Sequence, residues 1–229
     1  MTPFSIYQIL DSTDDARFID TLNRPVLAQT FGANLPTVNF TIAVNHLKSK
    51  GSDCLDVGGC QFGRRAGQLR RYTAAAQAAS TGWPESTASG DGDFLIVGDL
   101  STAKEDPITA IISAGYTNLI ERFGGADAYG YVFDGQWGYL DHALASPTLD
   151  LQVTGTAEYH INADELAKYS TTTPTSRALA QITDLAPDEF RTADHDPVIG
   201  GPEPRFKRPN SPSSLIRSLI TATELPLHR

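Results

Sequence analysis

The chain has 229 residues, 40% of them apolar and 20% charged, with a formal net charge of −9 at pH 7. Those figures describe a soluble globular protein with one core of ordinary size and room for an appended tail. No apolar run approaches the ~20 residues of a bilayer-spanning helix, Met1 to Leu10 lacks the basic start and apolar stretch of a signal peptide, and the acidic balance argues against broad electrostatic attraction to nucleic acid or anionic membranes.

Residues 25–31 and 38–46 have strand composition and are separated by Gly32-Ala33-Asn34-Leu35-Pro36, which predicts a β-hairpin. Residues 47–68 read as a loop. It holds the only two cysteines, Cys54 and Cys60, which are either a small loop-closing disulfide, the reading preferred in an oxidising compartment, or two free thiols. With no further Cys/His cluster beside them, a zinc site is not expected there. Leu69 to Ala79 is Ala-rich and helix-compatible, Ser80 to Asp93 is turn-rich, and Phe94-Leu95-Ile96-Val97-Gly98 reads as a buried central strand. Asp106 and Pro107 suit an N-cap and first helical residue for a helix through Ser113, with Gly115 near its end. Tyr129 to Phe133 and Tyr139 to Ala145 flank Asp134-Gly135, a favoured turn pair, and predict a second hairpin. Leu149 to Tyr159 can supply a further strand, and 162–192 a long polar excursion. After Gly201 the composition turns to Pro, Ser, Arg and Lys. The expected division is therefore a folded domain over 1–200 and a poorly ordered tail over 201–229. Two basic clusters, Arg64, Arg65, Arg70 and Arg71, and Arg205, Lys207 and Arg208, are either phosphate-facing patches or solvated surface runs.

Two strand-edge sites draw attention for their chemistry. Phe94 to Val97 stops at Gly98-Asp99-Leu100, which puts a carboxylate at a strand end, where open α/β folds build their sites. Asp194-His195-Asp196-Pro197 offers a carboxylate beside an imidazole that can accept and return a proton near neutral pH. Taken singly, Asp99 equally suits a turn-capping carboxylate, and Asp194-His195 a surface turn. His46 ends a strand and leads into Leu47-Lys48-Ser49-Lys50, a combination able to meet a phosphate oxygen. In Tyr139-Leu140-Asp141-His142 the alternation points Asp141 into a polar site and His142 to the opposite side. His160 and His228 have no constellation around them.

The segments Val44-Asn45-His46-Leu47-Lys48-Ser49-Lys50, Phe94-Leu95-Ile96-Val97-Gly98-Asp99-Leu100, Gly138-Tyr139-Leu140-Asp141-His142-Ala143-Leu144 and Asp194-His195-Asp196-Pro197 occur in this order. Together they resemble the endonuclease/exonuclease/phosphatase superfamily over roughly residues 8–199, with the bacterial extracellular nucleases the most similar branch. The resemblance implies an α/β (α+β) deoxyribonuclease-I-like sandwich of two sheets, Mg²⁺ or Mn²⁺, and hydrolysis of phosphodiesters in DNA or RNA by a secreted protein without membrane attachment. It also implies that His195 is the general base, that Asp194 holds that histidine or the metal, and that Asp99 orients the attacking water and contacts the metal. His46 would stabilise the transition-state phosphate, and Asp141 would buttress one of the two histidines.

The chain departs from that pattern in three places. Ser101 follows Leu100 where the family carries an asparagine. The family's N-terminal Asn and metal-binding Glu are not found, so the N-terminal half of the sandwich is expected to be missing and the remaining sheet to expose an apolar face. Gly59 to Pro84 is unlike the family: shifted by one base, a coding sequence for Val-Asp-Trp-Leu-Ala reads as Ser80-Thr81-Gly82-Trp83-Pro84. A frame change in this segment and in the 201–229 tail is therefore expected, and the gene sequence tests it. The departures lower the expected activity of the isolated chain to slow or absent nicking. A phosphatase or phospholipid phosphodiesterase on the same fold, and a non-catalytic remnant or binding domain, stand as the other readings.

Overall fold

A computed structural model describes residues 2–3, 6–18, 20, 23–32, 39–47, 92–100, 106–163, 193–202 and 220–221. In chain order these form β1 (Thr2–Pro3), β2 (Gln8–Leu10), β3 (Val26–Gly32), β4 (Asn39–His46), β5 (Phe94–Asp99), α1 (Asp106–Ser113), β6 (Thr117–Asn118) and α2 (Leu119–Gly124). After a 3-10 turn over Gly125–Asp127 come β7 (Tyr131–Phe133), β8 (Gln136–Gly138), β9 (Asp141–Ala145), α3 (Pro147–Asp150), β10 (Val153–Glu158), β11 (Val198–Pro202) and β12 (Ile220–Thr221). No helix of the described residues is long and apolar enough to cross a membrane. The expected helix over 69–79, the basic clusters, Ser101, the cysteine pair, the 59–84 segment and most of the 162–192 excursion lie outside the described residues.

The α/β class is what forms. A seven-stranded mixed sheet runs β1-β3-β4-β5-β9-β6, with β2 also paired to β3. The pair β4–β5 is parallel, and the other pairings in this sheet are antiparallel. A second sheet has the order β10-β11-β12, and β7 and β8 form a separate hairpin.

Strand alternation sorts the core into two layers, because successive side chains leave a strand on opposite faces. Phe94 and Ile96 of β5 join Val26, Ala28, Ala43 and Leu144 on one face, closed by Ile108 and Ile111 of α1 and by Tyr116, Leu47 and Leu100. Leu95 and Val97 take the other face with Phe40, Ala143 and Ala145, against Leu119 of α2, Leu149 of α3, Val153 of β10 and Val198 of β11. The second sheet thus covers the β5–β9 region. Of the apolar exposure expected from the sequence, Val44 and Ile9, at the other end of that face, remain 42% and 49% exposed among the described residues.

The first hairpin forms as expected, with Leu27 opposite Val44 and Phe31 opposite Phe40. The second is corrected. Asp134 and Gly135 do make its turn, both with positive φ (51° and 73°), as a type I′ turn requires. Its return strand, however, is Gln136–Gly138. The segment Tyr139 to Ala145, expected to pair there, instead enters the large sheet as β9 beside β5. The strand expected from Leu149 starts later, because Pro147 at a helix N-terminus opens α3 first and β10 begins at Val153. The boundary placed after residue 200 falls inside β11, which runs on to Pro202 and is met by β12.

Gly98 has φ +120°, and a Cβ there would stand 2.0 Å from the carbonyl oxygen of Asn45 on β4. Side chains rarely adopt that φ, and the obstruction is backbone in the paired strand, so neither term can relax cheaply. Gly98→Ala is expected to cost roughly 2–4 kcal/mol, read as a lower urea midpoint; an unchanged midpoint would show that the β4–β5 approach is looser than described.

Burial pushes the Tyr116 hydroxyl up from 10.0 to about 12. The folded chain then keeps a proton that the unfolded chain loses, so stability present below pH 10 declines as pH rises towards about 12. The expected decline is at most roughly 3 kcal/mol. Tyr116→Phe should flatten that part of the profile of urea midpoint against pH, and an identical alkaline decline in the variant would remove Tyr116 as its source.

Candidate active site

Three of the sequence-selected side chains are aligned by register alone. His46 ends β4 opposite Asp99 of β5, and Asp99 stands opposite Asp141 at the start of β9. By alternation all three share the face that carries Leu95, Val97 and Ala143, while His142 goes to the other side, fully buried, with the Tyr139 ring edge-on at 4.9 Å. Backbone bonds lace the ends together: Leu47 N–H donates to Asp99 O and Leu100 N–H to Leu140 O, both at 2.9 Å.

His195 arrives from outside the sheet. It makes an isolated bridge with Tyr131, and the Tyr131 ring lies tilted over the imidazole at 4.6 Å. Its Nδ1 is 2.5 Å from Asp141 Oδ2. Since a carboxylate oxygen accepts, Nδ1 carries the hydrogen, and in the neutral ring Nε2 presents a lone pair. Burial of the ring draws its pKa down, but the hydrogen bond and charge of Asp141, with the charges of Asp99 and Asp194, outweigh that and leave it raised. Asp141 therefore buttresses His195. Asp194, adjacent in sequence and exposed, acts on His195 through its charge.

His46 Nε2 stands 3.6 Å from Asp99 Oδ2. Partial burial lowers the pKa of His46; Arg24 acts in the same sense and Asp99 against it. Arg24 was not foreseen as part of the site, yet its guanidinium lies against His46 Nδ1.

Asp196 was part of the selected motif but had no role. It proves to be an anchor. Its side chain is fully buried. Oδ1 accepts from the backbone N–H of Ile161, Asn162 and Ala163 at 3.1, 2.8 and 2.9 Å, and Oδ2 meets His160 Nδ1 at 2.9 Å. Asn162 Nδ2 in turn donates to His195 O at 2.8 Å, and Asp196 N–H donates to Gly130 O. The loop carrying His195 is thus fastened on both sides. His160, for which no constellation was expected, takes part in this anchor and stacks on Tyr129 at 4.1 Å.

No protein-family model matches the chain, and no curated protein does. Solved structures do match it in fold. One is the 3′ phosphatase NExo from Neisseria bound to a product DNA hairpin, at 13% identity and a TM-score of 0.47, covering 86% of this chain and 70% of that one. Others are a mannosyl-6-phosphatase of Bacteroides thetaiotaomicron (14% identity, TM-score 0.42, covering 59% and 47%) and an endonuclease/exonuclease/phosphatase family protein from the same organism (14%, 0.42, 59% and 46%). The chain spans about half the length of the two Bacteroides proteins. At these identities the likeness is one of fold.

Among the described residues no group of three or more His, Cys, Asp or Glu side chains stands together as a closed metal centre. The donors at hand are the carboxylates of Asp99 and Asp194, whose charges both bear on the Tyr131 hydroxyl. Carboxylate oxygens are the donors that Mg²⁺ takes, one or two of them beside several waters.

Removing the Asp196 carboxylate strands three backbone N–H groups and releases the His195 loop. Asp196→Ala is expected to lower stability by about 2–4 kcal/mol and Asp196→Asn by less, since one oxygen remains. Urea unfolding checks the order, and equal stability of Asp196→Ala and the wild type would remove Asp196 as an anchor.

Proposed function

We propose that this chain is a metal-dependent phosphodiester hydrolase of the extracellular-nuclease kind, acting on DNA or RNA. The observation that carries the reading is the Asp141–His195 dyad held at the same strand edge as Asp99 and His46. Asp141 fixes the imidazole so that Nε2 can take a proton from water. As that O–H bond breaks, the water oxygen attacks phosphorus, the P–O bond to the leaving oxygen breaks, the leaving oxygen takes a proton from solvent, and His195 afterwards releases to solvent the one it accepted. Asp99 orients the water, and His46 stabilises the charge that gathers on a non-bridging phosphate oxygen. A divalent ion, for which Asp99 and Asp194 are the donors, supplies Lewis-acid stabilisation of that charge when bound.

Plasmid nicking in Mg²⁺ or Mn²⁺, beside a His195→Ala control, tests the proposal. Slow nicking is expected, reduced by roughly 100-fold or more in the control. Equal rates in the two proteins would exclude His195 as the base. A complete lack of turnover on plasmid, RNA and small phosphodiesters, with DNA binding retained, would favour the non-catalytic binding reading instead.

A further inference from the structure

His46 and His195 are held by partners of opposite hydrogen-bonding character. Extending the β3–β4 register beyond Leu27 and Val44 sets Pro25 opposite His46, with Arg24 one residue further along. Proline offers no N–H to the ladder at that point, so the strand pairing ends there. From this place the Arg24 Nη1 reaches His46 Nδ1.

A guanidinium has five N–H donors, no acceptor, and does not deprotonate in proteins. The bond can run only from Arg24 to His46, so His46 Nδ1 must present a lone pair. The single ring hydrogen of the neutral imidazole then sits on Nε2, the atom that faces Asp99 Oδ2 at 3.6 Å. The imidazolium and the Nδ1–H tautomer would each set two donors face to face. At His195 the order is reversed, because Asp141 accepts from Nδ1–H and leaves Nε2 bare.

We propose that Arg24 is a positioning residue that holds His46 as its Nε2–H tautomer, so that the site presents one imidazole as a proton acceptor and the other as a hydrogen-bond donor. The purpose of this division rests on the hydrolase reading, in which an Nε2–H aimed into the site would meet a phosphate oxygen. The tautomer itself is a property of the free chain and needs no substrate.

Nitrogen-15 NMR of the histidine rings, at a pH high enough above the raised pKa of His195 that every ring is neutral, reads it directly. The wild type should show His46 protonated at Nε2 and bare at Nδ1, and His195 the reverse. Arg24→Lys keeps a donor-only group and should preserve that pattern. Arg24→Glu replaces donors by acceptors and should move the His46 hydrogen to Nδ1, while Arg24→Met should give a mixture. His195, untouched in all three, reports that the fold is retained. A wild-type His46 protonated at Nδ1 would overturn the assignment, and so would Arg24→Glu and Arg24→Met both keeping the wild-type pattern. Nicking by the same proteins separates the two claims. If the tautomers behave as stated and no phosphodiester is cleaved, the hydrolase reading fails and the role of Arg24 stands. If cleavage depends on His195 and the His46 tautomer ignores Arg24, the reverse holds.

Discussion

The site depends on how closely β5 lies against β4. Gly98 brings its backbone so near the Asn45 carbonyl that no side chain fits between. That approach lets the two parallel strands stay in register to their last residues, His46 and Asp99. On the other side β9 continues the row with Asp141. A slip of one residue in either pairing would send a whole strand's side chains to the opposite face. It would exchange Asp141 for the buried His142 and take Asp99 out of the row. The apolar layers resist such a slip, because Leu95, Val97, Ala143 and Ala145 would have to leave the cluster they share with Leu119, Leu149 and Val153. The geometry of the polar groups is thus fixed mainly by the burial of the apolar ones.

The second sheet adds what the large sheet cannot supply. His195 lies three residues before β11, whose Val198 joins the shared core, and the Asp196 carboxylate ties that approach to the turn after β10. The electrostatic consequence is a site rich in negative charge. Asp99, Asp141 and Asp194 all act on His195, in a chain that already carries −9. Such a field repels a phosphodiester, and a divalent ion at Asp99 and Asp194 would locally reverse it. Substrate affinity would then come from the ion and from short-range contacts more than from the overall charge.

Much of this could be read from the sequence where the signal was local. The alternation of β4 and β5, the strand stop at Gly98-Asp99, the opposed faces of Asp141 and His142, and the Asp134-Gly135 turn each need only a few neighbouring residues to be recognised. The destination of Tyr139 to Ala145 did not follow, because the turn fixes only the three residue pairs closest to it. Beyond them, non-local pairing with β5 wins through burial of Ala143, Leu144 and Ala145. Asp196 stood in the motif, but three of its side-chain partners are backbone N–H groups, which carry no side-chain signature. Arg24 escaped for a related reason: its contact with the end of β4 exists only once the β3–β4 register is set. Ordinary composition hides both.

If the site works as proposed, moving a proton from water and stabilising a growing negative charge, it needs an acceptor and a donor at once. Two histidines held alike would give two of one kind. The fold avoids this by reaching the two rings from different directions. Asp141 approaches His195 from within the sheet, where a short carboxylate suffices. Arg24 approaches His46 from the margin beyond Pro25, where only a long side chain spans the gap and a half-exposed guanidinium keeps its hydration. Lysine is also long and donor-only, which is why the chemistry of the partner, more than its identity as arginine, sets the tautomer. A carboxylate at the same place would leave His46 with its lone pair turned into the site and pointed at the Asp99 carboxylate, two acceptors in opposition. On the proposed assignment the cationic partner at position 24 removes that conflict, because His46, with its hydrogen on Nε2, would face the Asp99 carboxylate as a donor.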